Sequence, residues 1–161
     1  MLDTLVSRRT AKTLPLVVVE RASYSRWLAE QDRGVRRWLE ASGFEPGGNR
    51  VALVPGEDGA PALALFGRGE GGPWAWAAAA QRLPPGRYAI EGELSPDDAT
   101  DAAIGWALEA YVFDRYLTRE ESRARRELVW PAGSDRAEAR RVIEAVGMVR
   151  DLVNTPAEDL G

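Results

Sequence analysis

The hydrophobic pattern begins with Leu14 to Glu20, LPLVVVE, which is rich in β-branched residues and nearly unbroken by polar ones. An apolar run without alternation predicts a strand buried on both faces, and it is expected as the first strand of the domain. From Ser23 the period changes. Trp27, Leu28, Gln31, Val35, Trp38 and Leu39 recur at helical spacing, with Glu30, Asp32, Arg33, Arg36, Arg37 and Glu40 on the opposite side. Gly34, which costs about 1 kcal/mol relative to Ala inside a helix, is expected to divide this run into two helices, and Gly43 stands where the second should end. Next, Val51 to Val54 and Ala62 to Phe66 flank a Pro55-Gly56-Glu57-Asp58-Gly59 turn, which predicts an antiparallel hairpin. After Gly67-Arg68-Gly69-Glu70-Gly71-Gly72, Pro73 suits a first helical position, and a Trp- and Ala-rich helix runs to about Leu83 before Pro84-Pro85-Gly86 ends it.

Arg87 to Leu94 alternates and predicts a further strand. Ser95-Pro96-Asp97-Asp98 supplies an N-cap, a proline at the first helical position and a carboxylate three residues past the cap, opening a helix expected to reach about Leu117. Thr118 to Arg126 is heavily charged and reads as a solvated loop or helix end. Glu127 to Trp130 is a short strand, and Ser134-Asp135 caps a closing helix. On that helix Val142, Val146, Val149 and Val153 are expected to face the core. The order β, α, hairpin, α, β, α, β, α defines an α/β fold, a mixed β-sheet layered between helices. One domain is expected over residues 1–153, with a linker starting at 154–161, where Asn154-Thr155-Pro156 breaks the helix.

Composition narrows the chemistry. A chain of 161 residues suits one domain that buries roughly 70% of its unfolded surface, and no apolar run approaches the ~18 residues of a membrane span. The N-terminal MLDTLVSRRTAKTLP carries no apolar stretch of secretory length, and cysteine is absent, so a cytoplasmic setting is expected. A net charge of −4 offers no general attraction to nucleic acid or anionic lipid. Histidine is also absent and Lys12 is the single lysine, so a site contained in this chain would have to be built from carboxylates. Asp97, Asp98 and Asp101 could be taken for a metal cluster, but helix capping accounts for at least two of them, and no metal is expected there. The bias to arginine and alanine is read as a genome's codon preference.

Two further features are candidate binding elements. Gly67, Gly69, Gly71 and Gly72 lie between a strand and a helix, where backbone amides can cradle a phosphate. Their spacing matches neither the P-loop nor the dinucleotide fingerprint, and Glu70 would repel an anion, so a plain turn is the favoured reading. The six tryptophans are expected mainly in the core or a subunit interface, with Trp74 and Trp76 as the pair to inspect for an exposed contact. Glu120 and Glu121 among Arg119, Arg123, Arg125 and Arg126 read as a mixed-charge surface.

Arg150-Asp151-Leu152-Val153-Asn154-Thr155-Pro156-Ala157, continuing to Asp159-Leu160-Gly161, closely resembles the segment joining the two domains of the leucyl aminopeptidase (cytosol aminopeptidase) family. Upstream, Gly105-Trp106-Ala107-Leu108 and Tyr111-Val112-Phe113-Asp114-Arg115-Tyr116 resemble the family's helix with a Phe-Asp-Arg-Tyr ending. Glu158 stands where many members carry Asn, and Leu117-Thr118 where Lys is common. The resemblance implies an exopeptidase that removes N-terminal residues from peptides, with two divalent ions, zinc or manganese, in a C-terminal catalytic domain, commonly assembled as a hexamer. The family's metal and catalytic motifs do not occur in this chain, so no catalytic, metal-binding or cofactor-binding residue is assigned here. Arg150, Asp151, Asn154 and Pro156 are assigned as the domain connector. The resemblance further implies a macro-domain-like fold whose partners are its own catalytic domain and other copies, with an alternative role as a macro-like module binding ADP-ribose or a nucleotide through the Gly67–Gly72 loop.

Overall fold

The computed structural model describes residues 1–113, 125–156 and 158. A single 3-10 turn, Leu2–Thr4, leads into strand β1 (Leu5–Val6), followed by β2 (Leu14–Val19), α1 (Arg21–Ala29), α2 (Arg33–Ser42), β3 (Arg50–Pro55) and β4 (Pro61–Gly67). The chain continues through α3 (Pro73–Arg82), β5 (Gly86–Glu91), α4 (Pro96–Glu109), β6 (Arg126–Val129) and α5 (Arg136–Asn154). The strands form one sheet in the order β1-β6-β5-β2-β4-β3. All neighbours are parallel except β3, which pairs antiparallel with β4 at the edge.

Side chains alternate across the central strands, so β2 and β4 are covered on both faces. Leu16, Ala64 and Phe66 enter one core, whereas Val19 and Leu65 enter the other. The first core lies under α3, α4 and α5 and holds Trp76, Trp106 and Ile143; the second lies under α1 and α2 around Leu39. The unbroken LPLVVV run therefore reflects a strand with helices above and below it, as its pattern predicts. Tyr88 is buried and donates its hydroxyl to the Pro84 carbonyl at 2.6 Å, and burial pushes its phenol up to about 12, so it stays a donor at neutral pH.

The tightest approach at any described glycine lies between α3 and α4. A Cβ at Gly105 would stand 1.9 Å from the Pro73 carbonyl oxygen, so only glycine lets the two backbones meet there. Around that point Ala75, Ala79, Ala99, Ala102 and Ala103 are all buried. The alanine richness, whatever its genomic origin, supplies the small side chains this crossing requires. Helix starts follow the expected chemistry: the Ser95 hydroxyl accepts from the Asp98 amide at 3.2 Å, and Asp135 Oδ1 accepts from the Ala137 and Glu138 amides at 2.9 Å. Gly43 ends α2 in the left-handed conformation with φ +64°.

The structure corrects the sequence reading in four places. The first strand is Leu5–Val6, which pairs with Leu128 and Val129; two residues are too few to show a period, and only the distant partner defines them. The helical run after β2 does divide, but at Glu30 to Asp32, where the Gln31 side-chain amide caps the Trp27 carbonyl at 3.0 Å; Gly34 lies inside α2. Helix α4 stops at Glu109 rather than near Leu117, and Tyr111 to Phe113 are not helical. A continuing helix would give the Leu108 carbonyl to residue 112, but Arg150 Nη1 takes it at 2.8 Å. Residues 114–117 and most of the charged 118–126 segment lie outside the described residues.

The fourth correction concerns α5. Val142 and Val146 pack against the core, with Ala139 and Ile143 fully buried, but Val149 and Val153 are 57% and 79% exposed. A 19-residue helix is about 28 Å long and here outruns the core beneath it. Replacing Gly105 with Ala is expected to cost about 2–3 kcal/mol, read as a lowered urea midpoint, because the added methyl meets backbone rather than a movable side chain. Gly34→Ala should act oppositely, adding about 0.5–1 kcal/mol, since a Cβ there meets nothing within 4 Å.

Candidate functional site

The glycine loop sits at the carboxyl ends of β2 and β4, where an α/β sheet commonly leaves a crevice. The cleft there measures about 580 Å³ and includes Glu20, Arg68, Glu70 and Asp98. Arg68 is its organising residue. Its guanidinium reaches Glu20 Oε1 at 3.0 Å and Asp98 Oδ1 at 2.9 Å, and its amide donates to the Val19 carbonyl at 3.1 Å. The hydrogen bond to Asp98, followed by the other carboxylate contacts, holds the Arg68 guanidinium above its usual range. Nearby, burial pushes the Asp101 carboxyl up, and the charges of Asp98 and Asp97 add to the effect.

The four predicted loop glycines prove to have different jobs. Gly67 is the last residue of β4, and a Cβ there would lie 2.7 Å from the Gly47 nitrogen and 2.8 Å from the Pro46 Cα, so its role is close packing. The Gly69 amide donates to Asn49 Oδ1 at 2.9 Å. Gly71 and Gly72 turn the chain into α3, where their carbonyls accept from the Trp74 and Ala75 amides at 3.0 and 3.1 Å. Those donors and the Arg68 side chain are thus engaged by protein acceptors, and Glu70 adds negative charge at the rim. The arrangement favours a structural crevice over an anion cradle. The tryptophan pair splits: Trp76 is buried with its ring 5.2 Å from Phe66, while Trp74 is 62% exposed.

Of the residues expected to form a domain connector, Arg150, Asp151 and Asn154 gather at a second place. Tyr111, just past α4, donates its hydroxyl to Asp151 Oδ1 at 2.8 Å and accepts from the Asn154 side-chain amide at 3.2 Å. Arg150 lies over the Tyr111 ring at 5.2 Å while capping Leu108. Two sequence segments some forty residues apart, one ending α4 and one ending α5, therefore close on each other in a polar clasp. Arg150, Asp151 and Asn154 were legible as a group because they are neighbours in sequence. Tyr111 was visible only as part of a motif, and nothing local marks it as their partner. Pro156 lies beyond the clasp and is exposed.

Histidine and cysteine are absent, and among the described residues no three carboxylates converge. Among those residues, likewise, no helix is long and apolar enough to cross a membrane.

Fold and site together define an α/β domain with a mixed sheet between helices and a polar clasp where α4 and α5 end. The sequence profile of the M17 aminopeptidase N-terminal domain matches residues 14–131. The chain belongs to the M17 aminopeptidase family, as its N-terminal domain. A probable cytosol aminopeptidase of Leifsonia xyli subsp. xyli is 33% identical over 144 residues, covering 79% of this chain and 29% of that protein. The crystal structure of a cytosol aminopeptidase from Coxiella burnetii superposes with a TM-score of 0.83 at 26% identity, covering 99% of this chain and 35% of the other. The bottromycin maturation enzyme BotP, solved in complex with Mn, shares the fold with a TM-score of 0.62 at 23% identity, over 93% of this chain and 33% of that one. The chain thus spans about a third of the length of these relatives.

Two outcomes are expected. Arg150→Met should lower stability by about 1–2 kcal/mol, a Tm fall of a few degrees, because it removes a charged hydrogen bond to Leu108 and the contact with the Tyr111 ring. Calorimetry with ADP-ribose at near-millimolar concentration should show no binding heat, and a saturable isotherm would restore the glycine loop as a phosphate site.

Proposed function

We propose that this domain is the N-terminal part of a dinuclear-metal exopeptidase that releases N-terminal amino acids from peptides. In this reading the domain itself is non-catalytic and serves assembly and substrate access. The observation that carries it is the match of residues 14–131 to the N-terminal domain of M17 aminopeptidases, in a chain about a third as long as its relatives. The residue inventory supports the division of labour, since the chain holds no histidine, no cysteine and a single lysine.

Residues 1–153 form the domain, and the segment from 154 hands the chain to a following catalytic domain. That domain would bind the two zinc or manganese ions. The ions would supply the nucleophilic hydroxide and polarise the scissile carbonyl. The contribution of the present chain is to fix the position of α5 through the clasp, and with it the point at which the catalytic half begins. A cytoplasmic setting, in line with the names of the cytosol aminopeptidases that the chain matches, and assembly as a hexamer complete the proposal.

The test is hydrolysis of a leucine anilide with added zinc or manganese. The 161-residue chain should release no chromophore above buffer with either ion, while the gene product that includes the following segment should turn over. Turnover by the 161-residue chain, or an inert longer protein loaded with both metals, would overturn the reading.

A further inference from the structure

Helix α5 packs on the core over its first three turns and leaves one apolar side bare over its last two. Ala139, Ile143 and Gly147 are buried, and Val142 and Val146 complete the packed face. Beyond them Met148, Val149, Leu152 and Val153 are 61%, 57%, 54% and 79% exposed. Leu152 follows Met148 by four residues and Val149 by three, and Val153 follows Val149 by four, so the four side chains form one continuous stripe. Exposed large apolar residues scattered singly are ordinary, but four of them on one stripe mark a contact surface. On the other side of the same turns Arg150, Asp151 and Asn154 are engaged with Leu108 and Tyr111, so the helix end is held in place with the stripe turned outward.

We infer that this stripe is the seat of the segment that follows in the longer M17 chains, and that the clasp presents it. The inference rests on the proposed domain assignment and adds to it the surface by which the two parts meet. The occupant is chosen for two reasons. The relatives carry the larger part of their length outside the region this chain matches, and the matched region is their N-terminal domain. The stripe also stops directly before Asn154-Thr155-Pro156, so a following segment is tethered within a few residues of it. Such tethering gives an effective concentration on the order of millimolar, which suits a modest apolar contact.

Met148 is a built-in reporter, because its thioether oxidises where solvent reaches it. Peroxide footprinting with mass spectrometry would compare the 161-residue chain with the gene product that includes the following segment. Met148 oxidation should slow by roughly ten-fold or more in the longer protein. Leu152→Glu combined with Val153→Glu should restore rapid oxidation there, while the same pair leaves the circular dichroism of the 161-residue chain unchanged because both side chains are exposed. A longer protein that hydrolyses the leucine anilide yet oxidises Met148 as fast as the short chain would overturn the docking surface and leave the aminopeptidase reading intact. A protected Met148 in an inert longer protein would support the surface and remove the activity. Protection that appears in the 161-residue chain as its concentration rises would assign the stripe to a second copy and overturn the inference, as would a reading frame that closes after Gly161.

Discussion

The approach of α3 to α4 at Gly105 is the constraint on which the rest of the domain hangs. With the Pro73 carbonyl where a side chain would begin, the two helices pack backbone against backbone, and their buried alanines fill the space beside the contact. That depth sets the position of α4 over the sheet. Trp106, the next residue, then reaches the Arg126 carbonyl with its indole nitrogen at 3.1 Å and lies 5.6 Å from the Tyr88 ring, tying α4 to β5 and β6. Two residues further on, the Leu108 carbonyl comes within reach of Arg150, and α5 is fixed in turn.

Polar groups tie the same elements together. Arg68 joins the end of β2 to the start of α4 through Glu20 and Asp98, Arg87 pairs with Glu127 across β5 and β6 at 2.7 Å, and Arg136 and Arg140 stack on Trp130. Among the described residues no buried side-chain nitrogen or oxygen lacks a hydrogen-bond partner. Each of these arginines connects separate elements, and Arg68 does so at the edge of the glycine-loop cleft.

Elements with their own periodicity or punctuation were legible in the chain. The strand at Leu14–Val19 shows itself by an unbroken apolar run of six residues, and the hairpin, the proline-started helices α3 and α4 and the Asp135 cap rest on interactions between near neighbours in sequence, so composition and spacing suffice to mark them. The resemblance carried by Arg150 to Pro156 was legible for the same reason. The two-residue strand β1 was not, since its hydrogen bonds go to a partner more than a hundred residues away. Nor was the end of α4, where the Leu108 carbonyl meets the Tyr111 amide and a guanidinium from another helix.

The valine repeat of α5 shows the division most clearly. Spacing alone determined that Val142, Val146, Val149 and Val153 share a side of a helix, because the α-helix turns by a fixed angle per residue. Which of them meet a core was decided only by where the sheet and its neighbouring helices stop. A helical period records a face and carries no information on the extent of what lies beneath it. The sequence by itself thus determined the layers, the caps and the family resemblance of the Arg150–Pro156 segment; the tertiary structure decided that Tyr111 clasps this segment and that one apolar side of the last turns of α5 stands bare.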